Sequence, residues 1–281
     1  MLTCKICLSE VSDSEEKCST CGWYAGPPNV RSAARQEEVD ALEGRYTAAI
    51  EQAKSDGLEA VVVSFDEDMK VTCAVINVDL KFLHQFITDD KPTYANYDLL
   101  RRGQARKPAK ESDDRHRRTI GSMLFGDYAE QIRYAALSLE GVLHSYGSYA
   151  MKLREVSIAA RASLLEDNSY NFIPKHHMKP GDDVPPGYLA TWKERHKLAV
   201  AKLASRLSAG TTKAEHPKIL LSGIGDRHTD EYIEVHIYGG FDNKAVESIK
   251  GNSSVKSKYD QAALNAVKDY LKKDGKLWVE E

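Results

Sequence analysis

Four cysteines near the start of the chain, in the pairs Cys4/Cys7 and Cys18/Cys21, have the residue type and spacing of a tetrahedral metal site. Each C-x-x-C pair curls into a tight turn whose amides point at thiolate sulfur, and two such turns close the coordination sphere of Zn(II). Two disulfides or a thioredoxin-like redox pair are the alternatives. A redox pair needs only one C-x-x-C inside a βαβ setting, and disulfides need an oxidising compartment. Gly22 suits a backbone position with positive φ, and Trp23 suits a cover over the metal knuckle. Four thiolates leave no open coordination position, so the predicted Zn2+ is structural. Few basic residues stand between the cysteines, which weakens a nucleic-acid role for this ribbon. The polar groups that could do chemistry lie over two hundred residues later, so the ribbon is expected to stand apart from them.

Those groups are in the segment EYIEVHIYGG. Period-two alternation puts Tyr232, Glu234 and His236 on one face of a strand and Ile233, Val235 and Ile237 on the other. The second face reads as core. The first carries an acid, an imidazole and a phenol, either as the polar outside of an exposed strand or in a cleft ended by Gly239 and Gly240. Asp226 or Asp230 followed by Glu234 and His236 loosely matches the carboxylate layout of Mg-dependent nucleases, although a lysine is usual where His236 stands. Eight lysines and arginines fall between residues 101 and 118, a solvated face or a phosphate-facing surface for a dinucleotide or nucleic acid. Gly223–Gly225 is too short for a dinucleotide loop, no G-x-S-x-G elbow is present, and His176-His177 has no partner pair at metal spacing.

The elements that must hold these groups follow from periodicity. Val39, Leu42, Tyr46 and Ile50 predict a helix over 36–55, linking the ribbon to the rest. EAVVVSF and KVTCAVINV, rich in β-branched residues, predict a hairpin, and LKFLHQFI a short helix. A helix is expected from Thr119 through MLFGDYAEQIRYAAL, a strand over GSYAMKLR, a long amphipathic helix from Tyr188 to Leu207, and strands over KILLSGIG and EYIEVHIYGGF. One more helix near Tyr259–Lys273 and a last strand, KLWVE, complete the chain. Strands and helices without regular βαβ alternation predict an α+β fold, with a zinc ribbon over 1–26, a connecting helix over 27–57 and a main domain over 58–281.

The chain has 281 residues, 42% hydrophobic and 29% charged, with a formal net charge of −3. That is the make-up of a globular protein, and global charge favours no partner. The start, MLTCKICLSE, lacks the apolar core of a signal peptide, and no run of about 18 apolar residues predicts a membrane span. Cys73, in VTCAVINV, reads as a buried thiol, and the expectation is a cytoplasmic protein.

Residues 94–250 resemble the ADP-ribosyltransferase superfamily of bacterial toxin and phage-conflict proteins. The resemblance rests on YANYDLLRRGQARKP, FGDYAEQIRYAALSLEG, LHSYGSYAMKLREVSIAARASLLEDNS and YIEVHIYGGF. It implies an ADP-ribosyltransferase-like mixed β core that moves ADP-ribose from NAD+ to a macromolecular acceptor, protein or nucleic acid. Glu234 takes the place of the catalytic glutamate, a carboxylate that stabilises the oxocarbenium-like ribose left when nicotinamide departs. Arg133 or His144 would bind the dinucleotide. Ser163 or Tyr146 would support the glutamate or stack on nicotinamide, and Arg161 and Asn168 would touch the cofactor. Bland readings stand beside these: Arg133 pairing with Glu130 or Asp127, His144 as a core histidine, Ser163 and Asn168 as turn or capping residues. Members acting on arginine carry Glu-x-Glu, whereas Tyr232 stands two before Glu234, which points to another acceptor. A toxin or anti-phage effector with an antitoxin or regulator is the implied context. The alternatives are a zinc-ribbon adaptor binding nucleic acid or protein without catalysis, and the Mg-dependent nuclease.

Overall fold

The computed structural model describes residues 1–90, 92–94, 111–140, 147–223, 229–255 and 257–281, with backbone alone over 111–114. The N-terminal module is a two-stranded hairpin, β1 (Leu2–Thr3) against β2 (Glu10–Val11), with Leu2 opposite Val11. Two knuckle turns hang from it: the Cys4 amide donates to the Ser9 carbonyl, and the Gly22 amide to the Cys18 carbonyl at 2.8 Å. Gly22 has φ 75°, the left-handed turn its sequence position required.

Two helices follow. α1 (Pro28–Ala33) starts on a proline at its first position, where a missing N–H costs nothing. α2 (Gln36–Ser55) has the bounds its apolar spacing predicts. It is no mere linker, because Leu42 and Ala53 are buried in the main core.

The next segment departs from expectation. EAVVVSF is the first half of a helix, α3 (Glu59–Lys70), not a strand of a hairpin. Val62, Phe65, Asp66 and Met69 are buried, at helical spacing, while Val63 stays 49% exposed. Burial of that stripe outweighs the strand preference of three consecutive valines. β3 (Cys73–Val78) and α4 (Leu80–Thr88) are as predicted, α4 being capped by Asp79, whose carboxylate accepts from the Phe82 amide at 2.7 Å.

Three further expectations are corrected. α5 (Glu111–Phe125) ends before a 3-10 turn over Gly126–Gln131, and IRYAALS is a strand, β4 (Ile132–Ser138), rather than the end of that helix. Gly126, at φ 51°, sits where the helix stops. The span from Tyr188 to Leu207 holds a short strand, β7 (Leu189–Thr191), a 3-10 turn and α8 (Arg195–Leu203) in place of one long helix. KILLSGIG begins inside a helix, α9 (His216–Leu220), which follows the capping box of Thr212 and Glu215 and has Pro217 in its first turn. The remaining elements are β5 (Tyr149–Leu153), α6 (Glu155–Ile158), β6 (Ala162–Leu165), α7 (Ser169–Lys175), β8 (Glu234–Tyr238), β9 (Val246–Gly251), α10 (Lys258–Lys273) and β10 (Leu277–Glu280).

β3–β10 form one mixed sheet in the order β10-β9-β5-β3-β4-β8-β6-β7, antiparallel at every pairing except β10 with β9. The mixed α and β architecture agrees with the α+β expectation. Its two faces differ sharply. One presents Ala74, Ile76, Ala135, Leu137, Met151, Leu164, Val235 and Ile237 to a single large core, closed by α2, α3, α4, α8 and α10. On the other face, register places His236 between Tyr134 and Ser163, and Glu234 between Ala136 and Leu165. The apolar cluster of Val75, Ala136 and Tyr232 lies there too. Among the described residues no helix is long and apolar enough to cross a membrane.

Candidate functional site

β8 is a central strand, so the polar face of EYIEVHIY is not an exposed outer surface. Glu234 is 4% exposed and His236 1%. A buried carboxylate must be hydrogen-bonded, and three groups supply this. His236 Nε2 lies 2.7 Å from Glu234 Oε1. Ser169 Oγ donates to Oε2 at 3.3 Å, and the Tyr232 hydroxyl donates to the same oxygen at 3.5 Å. Ser169 is delivered by the first turn of α7, whose N-cap is Asn168: its side-chain oxygen accepts from the Tyr170 amide at 2.9 Å. Asn168 Nδ2 in turn donates to the Asp230 carbonyl at 3.1 Å, tying α7 to the start of the β8 segment.

Aromatic rings enclose the imidazole. Phe125 and Tyr134 stand edge-on to His236, with centroids at 4.8 and 5.5 Å. His236 Nδ1 is buried with no partner among the described residues. Arg117 approaches from α5. Burial pulls its guanidinium down, but a hydrogen bond with Tyr170 and the nearby Tyr134 and Glu234 outweigh this and hold it above its ordinary value. It therefore remains a cation within electrostatic reach of the carboxylate. Tyr170 also packs on His116 at 5.1 Å.

A second buried polar network continues from the end of β6. Glu166 pairs with Arg45, and Asp167 with Lys202 at 3.2 Å. Burial drives the Lys202 ammonium below the usual lysine range, against the pull of Asp167. No local pattern in the sequence marks these four residues, because each pair joins positions far apart in the chain.

The residues singled out by sequence fall in three places. Glu234, Ser163 and Asn168 share one face, but Ser163 does not touch the glutamate: its hydroxyl accepts from Asn29 Nδ2 at 3.0 Å. Ser169 makes the contact expected of Ser163. Asn168 is a capping residue, and it sits behind the site. Arg133 lies on the opposite, apolar face. Its Nε and Nη1 donate to the carbonyls of Tyr94 and Glu130 at 3.2 and 2.9 Å, so its link to Glu130 is through backbone and not carboxylate. Arg161 is at the far end of β8, donating to the carbonyls of Tyr238 and Gly240 at 2.8 and 2.9 Å. From Glu234 to Gly240 is six residues, roughly 15–20 Å at strand rise, so neither arginine adjoins the carboxylate. His144, Tyr146 and residues 101–110 of the basic segment lie outside the described residues. Within the described part of that segment, Arg115 and Arg118 are exposed and only Arg117 turns inward. Arg117, Ser169 and Tyr170 had no individual sequence signal beyond that basic run and the helix start after Asn168.

The ribbon is closer to this site than expected. Asn29, on α1 and 2% exposed, donates from Nδ2 to the His236 carbonyl at 2.9 Å, to Ser163 Oγ and to the Arg161 carbonyl. Two residues on, Arg31 donates to the carbonyls of Ser12, Asp13 and Glu15 in the ribbon. The expected separation of the ribbon from the polar strand therefore does not hold.

The cysteines themselves suit a metal. All four are free thiols, and their sulfurs lie within 4.8 Å of one another, with Cys4–Cys21 and Cys7–Cys18 each at 3.5 Å. A tetrahedral site with Zn–S near 2.3 Å needs sulfurs about 3.8 Å apart. The Ile6 amide points at Cys4 Sγ at 3.4 Å, as a knuckle requires. Among the described residues this is the sole cluster of three or more Cys, His, Asp or Glu placed to share an ion.

Comparison with protein-family models finds no family that matches this chain. Comparison with curated proteins finds no matching relative.

Proposed function

We propose that this chain is an NAD+-consuming mono-ADP-ribosyltransferase whose chemistry centres on Glu234. The observation that carries the reading is the carboxylate itself: buried on a central strand, oriented by His236, Ser169 and Tyr232, with the Arg117 cation and two tyrosines on the same side. Such a group stabilises a cationic ribose strongly, because few waters screen it and its hydrogen bonds are in place before the reaction. The C1′–N bond of NAD+ breaks with its electron pair leaving on nicotinamide. A nucleophile on the acceptor bonds to C1′ and releases its proton. Arg117 fits the role of pairing with a phosphate of the dinucleotide, and Tyr134 and Tyr170 that of bordering the nicotinamide side. This departs from the assignment drawn from the family resemblance, in which Arg133 or His144 bound the dinucleotide and Arg161 and Asn168 touched the cofactor. The four-cysteine ribbon, holding structural Zn2+, fits selection or positioning of the macromolecular acceptor. A toxin or anti-phage effector controlled by an antitoxin is the setting that the resemblance implies.

The test is incubation of the full chain with labelled NAD+ and cell extract, following nicotinamide release and label in protein and nucleic acid. Wild-type turnover lost in Glu234→Gln, with the fold intact by circular dichroism, supports the reading. Absence of both nicotinamide release and label transfer sinks it. For the nuclease alternative, Asp226 lies outside the described residues, and among the described ones no group of three acidic or histidine residues around Glu234 is placed to share an ion.

A further inference from the structure

Arg133, on β4, and Arg161, in the 3-10 turn just before β6, converge on the Gly239–Gly240 turn. A Cβ on Gly239 would lie 3.4 Å from Arg161 Nη1, and one on Gly240 would lie 3.8 Å from Arg133 Nη2. Neither guanidinium has a carboxylate partner among the described residues: both spend Nε and Nη1 on backbone carbonyls. Burial depresses both, and the Arg161 charge depresses Arg133 further. Two adjoining guanidiniums with no counter-charge are unusual, because a buried cation ordinarily has an acidic partner. Beside them opens a cleft of about 540 Å³, whose lining includes Thr93, Ser157, Arg161, Gly240, Asp242 and Lys244. The amides of Gly240, Phe241 and Asp242, all at its wall, donate no hydrogen bond among the described residues. The single acidic side chain, Asp242, is exposed and turned to its own backbone, accepting from the Lys244 amide at 3.0 Å.

We propose that this cleft is a second ligand site, which binds the phosphate of a small phosphorylated molecule. Arg161 and Lys244 face the anion, Arg133 adds charge from behind, and the Ser157 and Thr93 hydroxyls with the free amides supply neutral donors. A planar guanidinium beside an ammonium and unpaired amides is the donor set that phosphate oxygens select. The volume lies in the range of sites for whole small molecules, which favours a nucleotide over a bare ion. The site is separate from Glu234 and does not rest on the chemistry assigned there.

Calorimetric titration of the full chain with ADP and with inorganic phosphate tests this. Because Arg161 also ties β6 to the end of β8, the exposed Lys244 is the cleaner probe. Saturable ADP binding is expected in the wild type and in Glu234→Gln alike. It should weaken at least tenfold in Lys244→Glu, and affinity should fall as salt rises. Tighter binding of ADP than of phosphate identifies a nucleotide ligand; equal binding identifies free phosphate, and either supports the site. No saturable binding of either probe, or binding untouched by Lys244→Glu, overturns it. Loss of NAD+ turnover with Lys244-dependent ADP binding intact removes only the transferase reading. The converse pattern removes only this one.

Discussion

The two faces of the sheet are made by alternate residues of the same strands, yet they obey different rules. On the β8 segment, Ile233, Val235 and Ile237 enter the main apolar core, while Glu234 and His236 are buried nearly as deeply and depend on named partners. The lesson is that burial alone does not separate scaffold from site. What separates them is whether a side chain is held by area or by specific donors and acceptors, and the two respond differently to substitution.

Phe65→Ala, on the apolar side, should show the largest effect: about 3–5 kcal/mol of unfolding free energy, read by denaturant titration. A loss well below that would show that the core face is loosely packed and the contrast overstated. Glu234→Gln should reverse the pattern, with roughly 10²–10³-fold lower turnover and a much smaller change in stability. If the two quantities fell together, Glu234 would be scaffold like its apolar neighbours. Asn29→Ala removes the donor shared by three acceptors and should cost about 1–3 kcal/mol. Turnover should drop with it, although Asn29 touches no reacting group; an unchanged rate would show that α1 merely covers the sheet. Val63→Ser, on the exposed side of α3, should move stability by under about 0.5 kcal/mol. A larger change would mean that this surface is covered by something else.

Much of the apolar face was legible in advance. The helix at 36–55, the α4 helix and the C-terminal helix follow from spacing, because each buries one stripe, and the strand Cys73–Val78 follows from its β-branched run, buried on both faces. Misreadings arose where two signals conflicted. Three valines in EAVVVSF favour a strand, but only a helix buries Val62, Phe65 and Met69 together. IRYAALS carries alanines that favour a helix, yet it fills a central strand position where small residues face covering elements on both sides. The polar face was legible at Glu234 and His236, whose alternation is local. It was not legible at Ser169 or Arg117, which reach Glu234 only through tertiary folding. The cysteine ribbon was readable because all its chemistry lies within eighteen consecutive residues, Cys4 to Cys21.

The amide of Asn29 has a consequence for how the two halves of the chain communicate. It joins the helix anchored in the ribbon by Arg31 to the backbone of the strand that carries Glu234. Free-energy coupling between two sites is reciprocal. Whatever tightens or loosens α1 from the ribbon side would act on the His236 main chain, and, on the function proposed above, substrate at Glu234 would act with equal strength on an ion held by the four thiolates. On that reading metal affinity would report occupancy at a site the metal does not touch, and a chelator titration with and without NAD+ would read that exchange directly.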